Sequence, residues 1–96
     1  DQTAKVRGMF VHPSQVAEGL RRHPEAGRGR LVVEGEMADD RMTLRVECAG
    51  EAPEGLAAAI AAALREVTKL RGEVEIVARG ALPNAGHVIE DARKVG

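Results

Sequence analysis

The residues best suited to chemistry stand near the two ends of the chain. Near the start, Lys5 and Arg7 place two positive charges directly before Gly8, and a short apolar run leads to Pro13. Because glycine has no side chain, the backbone at Gly8 can turn tightly or let another molecule approach closely. The two basic side chains could contact anionic groups of a ligand or simply face solvent, and the sequence leaves both alternatives open.

The second candidate lies in the tail, where Leu82 and Pro83 precede the run Asn-Ala-Gly and then His87. His87 is either a functional group of this loop or an exposed loop residue. The three histidines and Cys48 lack the spacing of a zinc site, so we expect no metal site. Cys48 is predicted to be a buried, inert thiol. The neighbouring acids Asp39 and Asp40 are predicted to belong to a turn rather than to an acid–base pair.

Hydrophobic periodicity predicts the elements that position these residues. In residues 41–48 the apolar side chains alternate with Thr43, Arg45 and Glu47, which predicts a strand with one buried face and one face in water. The order strand, helix, strand, strand, helix, strand predicts an α+β, ferredoxin-like βαββαβ sandwich, with an antiparallel sheet and two helices on one face. The predicted elements are a strand over 6–11 interrupted at Gly8, a helix over 13–23, strands over 28–36 and 41–48, a helix over 53–70 and a strand over 73–78.

The composition narrows the classes of function. With 96 residues the chain makes one domain, and its net charge of −1 supplies no field for nucleic acid or an anionic membrane. The basic clusters Arg21-Arg22 and Arg28/Arg30 are predicted to be solvated faces. Aromatic content is only 1%, so stacking platforms for bases are almost excluded. One cysteine fits a reducing cytoplasm, and no apolar run approaches the ~20 residues that span a bilayer.

The opening segment resembles the start of the C-terminal domain of adenylate-forming acyl–coenzyme A ligases, most closely the phenylacetate–coenzyme A ligase branch. That family has the pattern Asp-x-x-x-Lys-x-Arg-Gly-x-x-Val-x-Pro-Ser-Gln, followed by a hydrophobic residue. The resemblance covers nearly the whole chain and is strongest over residues 1–16. The matching residues are Asp1, Lys5, Arg7, Gly8, Val11, Pro13, Ser14, Gln15 and Val16.

The resemblance assigns roles to individual residues. It implies that Asp1 is the hinge to a preceding domain, and that the loop of Lys5, Arg7 and Gly8 enters the active site for thioester formation. There Gly8 would let the pantetheine arm of coenzyme A pass. The family carries a catalytic lysine in the tail, at the position that His87 occupies here. Histidine is shorter and mostly neutral at pH 7, which puts the adenylating role of this tail in doubt.

The resemblance also implies a context for the whole chain. Residues 1–96 would be a single C-terminal domain, or lid, excised from a larger chain and partnered by the N-terminal adenylation domain of that chain. The parent enzyme would use ATP, Mg²⁺ and coenzyme A to convert a small carboxylate, such as phenylacetate, into an acyl-adenylate and then a thioester. We expect the fragment alone to bind none of these cofactors and to be inactive.

A second hypothesis comes from another class of protein. A ferredoxin-like module of this size could bind a small regulatory molecule, or it could form a homodimer through free edge strands. The sequence upstream of Asp1 would distinguish the two hypotheses, because a ligase requires a phosphate-binding loop and a Gly-Arg pair there.

Overall fold

The structure is a computed structural model that describes residues 3–36, 39–83 and 88–93. Within this part the chain forms two short strands, a helix, a long β-hairpin, a second helix and two further strands. In order these are β1 (Ala4–Val6), β2 (Met9–Val11), α1 (Pro13–Arg21), β3 (Gly29–Glu36), β4 (Asp39–Cys48), α2 (Leu56–Thr68), β5 (Glu73–Ala78) and β6 (Ile89–Asp91).

The first two strands form a separate hairpin. β1 and β2 pair antiparallel, with Ala4 opposite Val11 and Val6 opposite Met9. Only Arg7 and Gly8 connect them, so the predicted interruption of the first strand at Gly8 is confirmed as a two-residue turn. Ala4, Val6 and Val11 are buried, and the hairpin is thereby packed onto the rest of the domain.

The other strands form one sheet in the order β5-β4-β3-β6. The α+β class is confirmed, but two features of the predicted antiparallel βαββαβ sheet differ. β1 does not join the sheet, because it satisfies its backbone hydrogen bonds with β2. The β4–β5 and β3–β6 pairs are parallel. Since α2 carries the chain back to the start of the sheet between β4 and β5, those two strands run in the same direction.

The helices pack on one face of this sheet and are shorter than predicted. α1 begins at Pro13, whose fixed φ suits a first helical position. α2 buries side chains at every fourth residue, namely Leu56, Ile60, Leu64 and Thr68. Its C-terminal cap is Lys69, with φ +66°, so it ends before residue 70, the predicted end. The core joins both helices, the hairpin and the sheet, and it includes Leu31, Val33, Met42, Leu44, Val46 and the free thiol of Cys48, which is buried as predicted.

β4 is the strand that positions both ends of the molecule. It lies inside the sheet between β3 and β5, and its ten residues run from Asp39 to Cys48. At about 3.4 Å per residue, Asp40 and Glu47 are roughly 24 Å apart along the strand. The described residues contain no helix that combines the length and apolar character needed to cross a membrane.

Candidate functional site

The hairpin turn has a backbone conformation that glycine favours. Arg7 has φ +49° and Gly8 has φ +82°, so both central residues of the turn are left-handed, as in type I′ hairpin turns. Both residues are exposed. A Cβ built on Gly8 meets no atom within 4 Å. The space above Gly8 is therefore open, and the domain itself does not need that space for packing.

Asp40, at the start of β4, holds this turn in place. Its Oδ2 accepts a hydrogen bond from the backbone N–H of Arg7 at 3.0 Å. In return, the Nε of Arg7 donates to the carbonyl oxygen of Asp40 at 2.9 Å. The guanidinium that the sequence offered as a ligand contact is thus engaged in fixing the hairpin to β4.

Arg93, near the end of the chain, completes the attachment of the hairpin. Its Nη1 donates to the carbonyl oxygen of Lys5 and to Oδ2 of Asp40, the latter at 3.3 Å. Its Nε and Nη2 donate to the carboxylate of Asp91 at 2.8 and 2.6 Å. The hydrogen bond from the Arg7 amide, together with Arg93, lowers the pKa of Asp40. We name the set Arg7, Asp40, Asp91 and Arg93 the hairpin anchor.

The outer surface of the hairpin carries the exposed large apolar side chains of the described residues. Met9 is 45% exposed and Phe10 is 60% exposed. The ammonium of Lys5 lies 5.7 Å from the centre of the Phe10 ring, a distance at which a cation attracts the face of an aromatic ring. Cationic and apolar groups therefore stand together beside the Arg7-Gly8 turn.

A second anchor lies at the other end of β4. Glu47 is only 4% exposed, and its Oε2 accepts hydrogen bonds from Nη2 of Arg28 at 2.9 Å and from the backbone N–H of Leu82 at 3.0 Å. Arg28 also donates to the carbonyl oxygens of Leu82 and Pro83, at 3.0 and 3.4 Å. The Arg28 guanidinium and the amides of Leu82 and Gly80 lower the pKa of Glu47. We name Arg28 and Glu47 the tail anchor.

The structure brings together three of the predicted site residues. Lys5, Arg7 and Gly8 share the hairpin, whereas Asp1 and His87 lie outside the described residues. The tail is described up to Pro83, which the tail anchor holds at the end of β4 remote from the hairpin. The two predicted functional segments therefore leave the domain from opposite ends of one strand.

The sequence does not reveal the anchors, and the predictions for three of their members are wrong. Glu47 is predicted on a face in water but is buried against the tail. Asp40 belongs to β4 rather than to a turn. Arg28 forms an ion pair with Glu47 instead of a simple solvated face. Asp91 and Arg93 are two residues apart, but the other paired members are 19 to 53 residues apart in sequence, so no local pattern reveals those pairs.

Comparison with protein families identifies the domain type. The family model described as AMP-binding enzyme C-terminal domain matches residues 8–93. The matched range includes Gly8, the tail anchor and three members of the hairpin anchor, Asp40, Asp91 and Arg93. Among proteins with curated functions, none matches the sequence.

Solved structures share the fold. A domain of phenylacetate–coenzyme A ligase from Bacteroides vulgatus ATCC 8482 is 25% identical with a TM-score of 0.86, over 100% of this chain and 97% of that one. A 2-hydroxyisobutyryl-CoA ligase in the thioesterification state, with 2-HIB-AMP and CoA, is 26% identical with a TM-score of 0.78. The match covers 98% of this chain and 22% of that protein. The postadenylation state of that ligase, with R3-HIB-AMP, is 24% identical over 95% of this chain and 22% of the ligase, again with a TM-score of 0.78.

Proposed function

Because the chain belongs to the AMP-binding enzyme C-terminal domain family, we propose that it is the mobile lid of an AMP-forming carboxylate–coenzyme A ligase of the phenylacetate–coenzyme A ligase type. Its partner would be an N-terminal adenylation domain in the same chain, which would hold ATP, Mg²⁺ and a small carboxylate such as an aryl acid. The free, buried thiol of Cys48 suits a reducing cytoplasm. The fragment alone would be inactive.

The observation that carries this proposal is the geometry of the Arg7-Gly8 turn. The turn is exposed, it stands beside Lys5, and a Cβ on Gly8 would project into open space. Glycine is needed there for its positive φ, and its missing side chain leaves a path along the backbone. We assign this path to the pantetheine arm of coenzyme A during thioester formation. Lys5 would then contact the anionic groups of the adenylate or of coenzyme A.

The second half of the proposal concerns adenylation. The segment after Pro83 would approach the acyl-adenylate site in that step, with His87 at the position of the family's lysine. A cation there stabilises negative charge that develops on phosphoryl and carboxylate oxygens. Because histidine is mostly neutral at pH 7, we expect this enzyme to adenylate more slowly than a lysine-bearing relative.

The distance between the two segments supports alternation between the two steps. The anchors at Asp40 and Glu47 are roughly 24 Å apart along β4, so one rigid domain cannot present both segments to the same reacting atoms. Rotation about a hinge at Asp1 would present them in turn. The 2-hydroxyisobutyryl-CoA ligase structures are named for a postadenylation and a thioesterification state, and this chain matches both with a TM-score of 0.78.

The decisive experiment separates the two half-reactions in the full-length protein. Gly8→Ile should lower thioester formation from supplied acyl-adenylate by about 100-fold, because the branched side chain fills the path beside the turn. Adenylate formation, measured by pyrophosphate exchange, should stay close to wild type. Gly50→Ile is the matched control, since Gly50 also has a positive φ of +73° and no neighbour within 4 Å of its Cβ.

The control distinguishes lost space from lost folding. Gly50→Ile imposes a similar backbone strain far from the hairpin, so it should leave thioester formation unchanged. Equal loss of both half-reactions in Gly8→Ile, or equal loss of thioester formation in both variants, would contradict the assignment of the hairpin to coenzyme A.

A further inference from the structure

A single strand carries an acidic anchor at each of its ends, and each anchor serves a different segment. Asp40 bonds the hairpin turn, and Glu47 bonds the root of the tail at Leu82. The two residues are seven positions apart on β4, so their side chains point to opposite faces of the sheet. β4 therefore fixes the two segments relative to each other in both distance and face.

We propose that Asp40 and Glu47 are positioning residues for different half-reactions, Asp40 for thioester formation and Glu47 for acyl-adenylate formation. This inference rests on the proposed function, because it takes the hairpin and the tail as the segments that alternate at the reacting groups. Neither carboxylate touches those groups. Each acts through the backbone that it holds.

The surroundings of Glu47 argue for a positioning role. A buried carboxylate is costly unless donors surround it, and here the donors are Arg28 and the amides of the tail. Arg28 also donates from Nη2 to the carbonyl oxygen of Leu82 and from Nη1 to that of Pro83. The pair thus fixes both the N–H and the C=O groups of the segment that leads directly into residue 84. Such bidentate geometry sets direction as well as distance.

The contacts of Asp40 likewise argue for a positioning role, in this case for the hairpin. The carboxylate holds the amide of Arg7, which is the first central residue of the turn. It also holds Arg93, which binds the carbonyl oxygen of Lys5 in the preceding strand. Removing the carboxylate frees the turn on one side while the contact from the Arg7 guanidinium to the Asp40 carbonyl remains.

Another ion pair on the same sheet shows what a purely structural pair looks like. Arg45 donates to Glu75 at 3.1 Å, and this contact links β4 to its neighbour β5. The Glu75 side chain is 59% exposed, and its hydrogen bond from Arg45 joins β4 to β5 rather than to the hairpin or to Leu82 and Pro83. Glu75→Gln is therefore a matched charge-removing control for both anchors.

The test measures both half-reactions in the full-length protein for three variants. Glu47→Gln should lower pyrophosphate exchange by about 10- to 100-fold, because displacement of a catalytic segment by about 1 Å has an effect of this size. Its thioester formation from supplied acyl-adenylate should stay close to wild type. Asp40→Ala should have the opposite selectivity. Thioester formation should fall by about 10-fold, and pyrophosphate exchange should stay close to wild type. Glu75→Gln should change neither rate.

Two conservative variants guard against a simple loss of folding. Glu47→Asp keeps the charge and should recover part of the pyrophosphate exchange that Glu47→Gln loses. Arg28→Lys keeps the ion pair but loses the fork to the two carbonyl oxygens, so it should show a smaller loss confined to the same half-reaction. These two variants decide the question if Glu47→Gln does not fold.

The outcomes separate this inference from the proposed function. If wild type performs both half-reactions and Glu47→Gln lowers both equally or neither, the positioning role is wrong while the ligase function stands. If wild type forms no acyl-adenylate, the proposed function fails and this inference fails with it.

Discussion

Each end of β4 holds one segment in place, the hairpin or the tail, but the contacts that hold the two segments differ. At the hairpin, the exposed turn is held by Asp40 and Arg93, and its outer surface of Met9 and Phe10 faces outward. At the tail, the carboxylate of Glu47 is buried, and it holds backbone rather than side chains of the segment. The hairpin is thus a preformed surface, whereas the tail is held through its backbone at Leu82 and Pro83.

Because of this difference, the hairpin contributes a fixed shape, whereas the direction of the tail depends on what holds it. A two-residue turn with both φ angles positive has little freedom, so the hairpin keeps its shape whichever partner it meets. The segment after Pro83 takes its direction from two attachments, the tail anchor at Leu82 and Pro83 and the bond from the Leu31 N–H to the carbonyl oxygen of Val88 at 2.7 Å. Four measurements test this contrast between the two ends of β4.

The hydrophobic core should support the hairpin end and the tail end of β4 equally. Leu64 is fully buried in the cluster that joins the helices, the hairpin and the sheet. Leu64→Ala should lower the free energy of unfolding of the domain by about 2–5 kcal/mol, as measured by urea denaturation. In the full-length protein both half-reactions should fall together. A selective loss of one of them would show that the two ends do not share a single support.

Adenylate formation should become faster when a lysine replaces His87 in the tail. His87→Lys in the full-length protein should raise pyrophosphate exchange by about 10-fold or more, because a permanent charge stabilises the transferring phosphoryl group. Thioester formation should not change, since the hairpin serves that step. An unchanged or lower exchange rate would mean that His87 does not stand in for the family's lysine.

Acid should weaken both anchors. The pKa of Asp40 and that of Glu47 are both lowered in the folded domain, from usual values of 3.8 and 4.5. Each carboxylate therefore stabilises the fold above its usual pKa, and this contribution is lost as the pH falls through the lowered value. Thermal unfolding of the domain should accordingly show a midpoint that decreases below about pH 4.5.

The variants identify which anchor is responsible. Glu47→Gln should have a lower midpoint than wild type at pH 7, and the difference should shrink as the pH falls. Asp40→Ala should behave alike, because the pKa of Asp40 is also lowered in the folded domain. Parallel curves for wild type and both variants would show that neither ion pair depends on these carboxylates being charged.

The outer surface of the hairpin should contribute least to folding. Phe10 is mostly exposed, and its contact with Lys5 is a surface cation–π pair. Phe10→Ala should therefore change the free energy of unfolding by only about 0.5–1 kcal/mol, measured by thermal or urea denaturation. A much larger loss would mean that the hairpin surface is part of the core, which would remove the contrast between the two ends.

Much of the architecture was predictable because it depends on local patterns. The stripe of Leu56, Ile60 and Leu64 predicted α2, and Pro13 marked the start of α1. Gly8 between charged and apolar residues predicted the break that became the hairpin turn. The alternation of Met42, Leu44 and Val46 predicted the buried face of β4. Each of these signals operates within a few residues of the chain.

The parallel pairing and the anchors were not predictable in the same way. Nothing near Ile89 indicates that it pairs with Leu31 on β3, since strand pairing depends on the path of the whole chain. Glu47 occupies a position that alternation assigns to solvent, and only the return of the tail buries it. A sequence pattern gives the face of a strand, but it does not give what later covers that face.

Residue types and their spacing were enough to predict the local features, namely a glycine turn beside basic residues and two amphipathic helices. They also carried the family pattern, which the AMP-binding enzyme C-terminal domain model confirmed by its match over residues 8–93. Only the tertiary structure decided that Asp40 and Glu47 hold the hairpin and the tail at opposite ends of β4. The reason is the separation along the chain over which each kind of interaction acts. Backbone preferences and periodicity act between near neighbours, whereas an ion pair forms wherever folding brings two charges together.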